Sequence, residues 1–158
     1  MVEKIIELLE HISELTLLEE YDEVLDLYDK ILRIDPKNII ALIDKAVTLQ
    51  RMGQNSLALK LFNNALQINP QNIDALIGKG STLHAQAKFA DAILCYDAVL
   101  QINAKFPVAL AYKGLSLGEQ GKIKDALSHF KRALAIDKDY DLAQISKKKA
   151  LELLKSKK

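Results

Sequence analysis

Asn64-Ala65-Leu66-Gln67-Ile68-Asn69-Pro70 decides the fold, because it recurs. Thirty-four residues upstream stands Lys30-Ile31-Leu32-Arg33-Ile34-Asp35-Pro36. The same interval downstream brings Ala98-Val99-Leu100-Gln101-Ile102-Asn103-Ala104, then Arg132-Ala133-Leu134-Ala135-Ile136-Asp137-Lys138. The Pro is lost from the last two phrases and the rest is kept. A fixed period of this length marks a stack of small units, each too small to bury a core alone.

Frames of 34 residues then fall at 5–38, 39–72, 73–106 and 107–140. Each is predicted to hold two helices. In the second frame the first helix covers Ile39 to Arg51 and stops at Gly53, a residue suited to the left-handed position past a helix end. The second helix covers Ser56 to Ile68 and stops before Asn69-Pro70, since the residue before Pro avoids the α region. Gly121 ends the first helix of the last frame in the same way, and Pro107 suits a first turn.

Small residues recur where two helices must approach: Ala46, Gly80 and Gly114 at place eight, and Ala58, Ala92 and Ala126 at place twenty. Leu49, Leu83 and Leu117, with Phe62, Tyr96 and Phe130, are the candidate filling around them. Ala65, Val99 and Ala133, with Ile68, Ile102 and Ile136, are the candidate seam to the next unit.

Composition agrees with an all-helical chain. Of 158 residues 27 are Leu and 18 Ala, against 5 Val, 6 Gly and 3 Pro. A single cysteine, Cys95, excludes a disulfide framework and a cysteine-based zinc site. The longest apolar run, Phe106 to Tyr112, is too short for a membrane span. The N-terminal residues lack signal-peptide character, so a cytoplasmic location is expected.

These residues resemble the tetratricopeptide repeat family, whose 34-residue pattern runs large–x2–Leu–Gly–x2–Tyr, Ala–x3–Phe, then Pro. Leu76, Gly80, Leu83, Ala92, Tyr96 and Val99 hold the pattern's places in the third frame. Leu110, Gly114, Leu117, Gly121, Ala126, Phe130 and Ala133 hold them in the fourth. The resemblance covers residues 5 to about 140 and implies an all-α, right-handed α-α superhelix. That solenoid has four helix-turn-helix repeats plus a C-terminal capping helix, in a single array over 1–158.

There are departures. Lys45, Lys79 and Lys113 replace the usual Leu at place seven, which is similar to archaeal and bacterial-type arrays. The first frame is degenerate, with Ile12, Glu19 and Val24 for the small residue, the Gly and the Ala. It is either a modified cap or a loosely packed first helix. Residues 141–156 read as the capping helix. Leu142, Ile145, Leu151 and Leu154 are expected to cover the last unit, and the six lysines of 141–158 to face water.

No catalytic constellation is visible. His11, His84 and His129 fall at different places in three units, and Cys95 beside Tyr96 reads as a small core filler. Gly78-Lys79-Gly80-Ser81 lies inside a helical frame without the strand that a phosphate loop needs. The acids of the first unit, Glu14 to Asp29, read as a solvated helix face. No catalytic residue, metal ligand or cofactor is assigned, and the chain is read as no enzyme.

The resemblance implies that first helices line a concave face through places two, five, six, nine, twelve and thirteen. The candidate partner-binding residues are Ile40, Ile43, Asp44, Val47 and Arg51 from the second unit. The third unit offers Asp74, Ile77, Gly78, Ser81 and His84, and the fourth Val108, Ala111, Tyr112 and Leu115. So much apolar content suits a groove for an apolar or amphipathic partner segment, with Ile77 at its centre and a dip at Gly78. The alternative is packing between first helices or under the capping helix. The places that form a carboxylate clamp for chaperone C-termini in some family members hold Leu9, Ser13, Asp44, Asp74 and Gly78 from one start. From the next start they hold Ile43, Val47, Gly78, Val108 and Tyr112. Neither supplies cations, so no clamp is expected.

The net charge of +1 conceals two ends. Residues 5–38 hold 3 basic against 10 acidic side chains, and 141–158 hold 6 against 2. Head-to-tail self-association, giving a homo-oligomer, is therefore a second reading beside the scaffold. Lys147-Lys148-Lys149 and Lys155 to Lys158 lack interleaved aromatics, which argues against nucleic acid.

Overall fold

The structure is a computed structural model that describes residues 2–156. They form nine α-helices and no strand. In chain order these are α1 (Val2–Leu17), α2 (Tyr21–Ile34), α3 (Ile39–Arg51), α4 (Asn55–Ile68), α5 (Ile73–Ala85), α6 (Phe89–Ile102), α7 (Pro107–Glu119), α8 (Ile123–Ile136) and α9 (Asp141–Ser156). The predicted bounds in the second frame hold, except that α4 starts one residue earlier.

Every helix pair closes on the same turn. Place fifteen is left-handed in all four frames: Glu19 at φ 59°, Gly53 at 75°, Ala87 at 58° and Gly121 at 77°. After it the next N–H reaches five residues back, as Gln54 to the Leu49 carbonyl at 2.8 Å and Lys122 to that of Leu117 at 3.0 Å. This is the Schellman closure, and only Gly adopts its central φ without strain. The sequence pattern finds Gly53 and Gly121 but not Glu19 and Ala87.

The stop at the end of each second helix needs no proline. Asp35, Asn69, Asn103 and Asp137 each accept, through Oδ1, the N–H two residues on, at 3.0 to 3.2 Å. Such a side-chain turn leaves the helix by itself, which is why the third and fourth frames end alike without Pro. Asn38 and Asn72 then cap α3 and α5 through the N–H groups of Ala41 and Ala75.

The chain divides into two compact units, one running up to Gly78 and one from Lys79 on. In the first unit α1 packs on α2, α2 on α3 and α3 on α4. Ile12 and Val24, the large replacements of the degenerate frame, are buried with Leu15, Leu27, Tyr28 and Ile31. The first pair is therefore packed through the second half of α1, where Ile12 and Leu15 are buried, while Val2, Ile6 and Leu9 stay exposed. Ala46, Leu49, Ala58, Phe62 and Ala65 make the next core, which Ala75 of α5 joins. A Cβ at Gly78 would collide with the Phe62 ring.

In the second unit α6 packs on α7, α7 on α8, and α9 on both α7 and α8. Gly80 lies against Tyr96, and Gly114 against Phe130, where an added Cβ would stand 2.5 and 2.6 Å from ring carbons. Small place-eight residues thus exist to admit a ring. Cys95 is buried, and burial pushes its thiol pKa up, so it stays a protonated filler.

Three expectations are corrected. Ile68, Ile102 and Ile136 are exposed, because each is the last residue of its helix, where the chain turns away from the seam. On α9 the buried side is Ala143, Ser146 and Ala150, with Leu142 and Leu154 half-buried beside it. Ile145 is 69% exposed and Leu151 also faces water, so neither covers the last unit. Small residues let α9 approach closely, and that turns Ile145 outward. Lys147 is half-buried, whereas Lys148, Lys149 and Lys155 are exposed. Lys157 and Lys158 lie outside the described residues.

Candidate functional site

The predicted trough is thinner than its sequence. In the first unit Ile40 is 66% exposed on α3 and Arg51 is exposed at its end. Ile43, by contrast, is buried in the α3–α4 core. Val47 and Ile77 are half-buried, with Val47 packed on that core, and Asp74 is exposed. Gly78 offers no dip, since the Phe62 ring occupies the space a side chain would take. Burial, then the nearby Asp74, raises the pKa of Asp44. Burial, then the Asp44 charge, pushes the Tyr28 phenol up to about 12 against the opposing pull of Arg51.

In the second unit Ala111 is buried with Leu110, Ala133 and Ala143, so it too is core and not groove. Its small side chain lets α7 meet its neighbours. Ser81, Val108 and Leu115 are half-buried. Tyr112 sets its ring edge-on to Tyr96, with centroids 5.8 Å apart. His84 is held from two sides: its Nδ1 lies 2.9 Å from the buried Ser116 hydroxyl, and its ring stands edge-on to Phe89 at 5.1 Å. Such a histidine is a packing residue whose polar edge satisfies a buried hydroxyl.

What the second unit does bring together is a cavity of about 260 Å³ between α7, α8 and α9. Leu115, Gly118 and Glu119 come from the predicted concave face of α7. Ile123, Ala126 and Phe130 of α8 form one wall, and Ser146, Lys149, Ala150 and Leu153 of α9 the other. The walls are apolar, with one acid and one base, Glu119 and Lys149, among them. Gly118 keeps the space open, because an added Cβ there would meet only Ala126, at 3.9 Å. The sequence reading missed the α9 contribution. Its available signal was the pair of small residues, Ser146 and Ala150, four apart on one helix face.

The place-seven lysines also acquire a reason. Lys45 Nζ meets the Asp29 carboxylate at 2.5 Å and Lys113 meets that of Asp97 at 2.5 Å, each sixteen residues back on the preceding helix. Each Lys is largely covered, as the usual Leu would be, and its charge is neutralised by a half-exposed carboxylate. A wider furrow of about 590 Å³ in the first unit holds the first pair, but Asp22, Asp26 and Lys60 line it as well. It is therefore a charged surface rather than an apolar anchor site. Among the described residues no three His, Cys, Asp or Glu side chains gather as a metal ion requires. None of the helices is long and apolar enough to cross a membrane.

Two family models described as "Tetratricopeptide repeat" match residues 27–60 and 49–113. Together they span more than half of the chain. No curated protein matches it. Among solved structures, the crystal structure of MamA protein is 19% identical, covering 96% of this chain and 83% of that one, with a TM-score of 0.81. MamA 41-end from Desulfovibrio magneticus RS-1 is 17% identical, covering 97% and 96%, with a TM-score of 0.77. The first TPR of Spaghetti (RPAP3), bound to the HSP90 peptide SRMEEVD, is 18% identical, covering 76% and 95%, with a TM-score of 0.71. At these identities the likeness is one of fold.

Proposed function

Since the chain belongs to the tetratricopeptide repeat family, with the all-α solenoid class of that family, we propose that it is a non-enzymatic protein-interaction scaffold in the cytoplasm. It works as one array of four repeat units and a capping helix over 1–158. An apolar or amphipathic partner segment inserts an anchor side chain between α7, α8 and α9. The observation that carries this is the cavity of about 260 Å³ beside Leu115 and Gly118. It falls below the roughly 300–1,000 Å³ of small-molecule sites, which suits one large apolar side chain of a peptide. Glu119 and Lys149 would orient the anchor's flanking backbone and charges. In the first unit Ile40, Asp44, Val47, Arg51 and Asp74 offer further contacts, Ile40 as the exposed apolar one.

A peptide is also what the related fold of RPAP3 holds. The chemistry here differs, because the clamp places carry no cations, and an acidic C-terminal peptide is not the expected ligand. Peptide display on the immobilised chain tests the proposal. Recovered peptides should share an apolar anchor, and Gly118→Leu, which fills the cavity, should weaken them at least about tenfold with helical circular dichroism unchanged. Binding indifferent to Gly118→Leu would sink the reading. Self-association through the ends is a second reading, favoured by the acids on α1 and the lysines on α9.

A further inference from the structure

Two helix faces, on α1 and α9, carry apolar side chains out into water. On α1, Val2 is 73% and Ile6 51% exposed, and Leu9 follows on the same stripe. One step around the helix runs a second exposed stripe, Glu3, Glu7, Glu10 and Glu14. Spacings of four, three and four residues keep each stripe on one side of an α-helix. On α9, Lys148, Glu152 and Lys155 form an exposed line, with Ile145 on one side of it and Leu151 on the other. Each face therefore carries exposed apolar side chains beside charge, four acids on α1 and, on α9, Lys148, Lys149 and Lys155 with Glu152 among them.

We infer that the occupant of the α1 face is the α9 face of a second copy of this chain. Charge decides the pairing. An isologous α1–α1 contact would set four glutamates against four and is repulsive, whereas the lysines of α9 attract them. The heterologous α1–α9 contact brings Val2, Ile6 and Leu9 onto an exposed apolar side chain of α9, Ile145 or Leu151, while glutamates meet lysines. A heterologous contact of this kind grows head to tail. Two helices of 16 residues are each about 24 Å long. One such pair is smaller than a standard stable interface, so the association is weak and sensitive to salt. The inference rests on the self-association reading and adds its surfaces and polarity.

Sedimentation velocity on the full chain tests it, with two double variants, Glu7→Lys/Glu10→Lys and Lys148→Glu/Lys155→Glu. The wild type should gain mass with concentration at about 0.05 M salt and lose at least about tenfold in association constant at about 0.5 M. Each double variant alone should stay monomeric, because Glu7→Lys/Glu10→Lys cancels the acid of α1 and Lys148→Glu/Lys155→Glu makes both faces acidic. An equimolar mixture of the two should associate again, since acid once more meets base. Circular dichroism checks that both variants are folded. A wild type monomeric at every concentration removes the self-association reading itself. Association that persists in each double variant alone, or a mixture that fails to recover it, overturns the α1–α9 pairing and leaves self-association by another route.

Discussion

Two glycines in equivalent-looking helical surroundings should answer the same substitution with opposite signs. In Gly80→Ala the new methyl group starts 2.5 Å from Cε1 and 2.9 Å from Cζ of Tyr96. Ordinary carbon contacts lie at about 3.5–4.0 Å, so the ring must retreat by roughly 1 Å. Tyr96 is 1% exposed and already edge-on to Tyr112, which leaves it nowhere to go. Overpacking of this kind costs about 1–3 kcal/mol. Replacing Gly by Ala within a helix returns about 1 kcal/mol, so with a hemmed-in ring the net loss is about 1–2 kcal/mol. In Gly118→Ala the methyl meets only the Ala126 Cβ, at 3.9 Å, an ordinary contact. There the helix term stands almost alone, for a net gain of about 0.5–1 kcal/mol. For a chain of this length 1 kcal/mol moves Tm by about 2–4 °C, placing the two variants roughly 3–12 °C apart on either side of wild type. Thermal and urea melts followed by far-ultraviolet circular dichroism read this directly. Two shifts of the same sign, or a neutral Gly80→Ala, would refute the view that the ring closes the space at Gly80. In Gly80→Ala/Tyr96→Leu the smaller side chain should recover part of the Gly80→Ala loss in a double-mutant cycle.

Ala87→Gly should stabilise by up to about 1 kcal/mol, because it relieves a left-handed alanine at φ 58°; a urea midpoint that falls would count against it. Asp97→Asn should lose about 1 kcal/mol, since the Lys113 pair is half-buried and the amide still offers an oxygen to the ammonium, and the loss should shrink in molar salt. Burial lowers the pKa of His129 in spite of its hydrogen bond to the Asp125 carbonyl. The folded state therefore takes up this proton less readily than the unfolded state. Stability should fall as pH drops below about 6.5, the unfolded value, and the fall should level off below the folded pKa. His129→Gln should flatten that part of the pH–stability curve, and an unchanged slope would assign it to other groups.

Much of the fold was legible because its causes are local. The Asx residue at 35, 69, 103 and 137 makes its turn with an N–H two residues away. The small residues at places eight and twenty announce close approach whichever helix arrives. The candidate site was less legible. A 3.6-residue period says which residues share a helix face, not which face a neighbour covers. Ile40, Ile43 and Val47 read alike on α3, yet Ile40 is exposed, Val47 half-buried and Ile43 core. The lysines of place seven were visible as departures, but the partners of Lys45 and Lys113, sixteen residues back on another helix, were not.

The sequence by itself determined the period, the helix pairs, the stops at Gly53, Gly121 and the end of each second helix, and the separation of acid at one end from base at the other. These follow from backbone chemistry and from counting along the chain. Only the tertiary structure decided that Phe62 fills the space at Gly78, that Gly118 keeps a cavity open, and that α9 turns Ile145 outward. Each is a question of how much room remains between helices distant in sequence. That room is set jointly by side chains on both sides, and no single stretch of chain contains it.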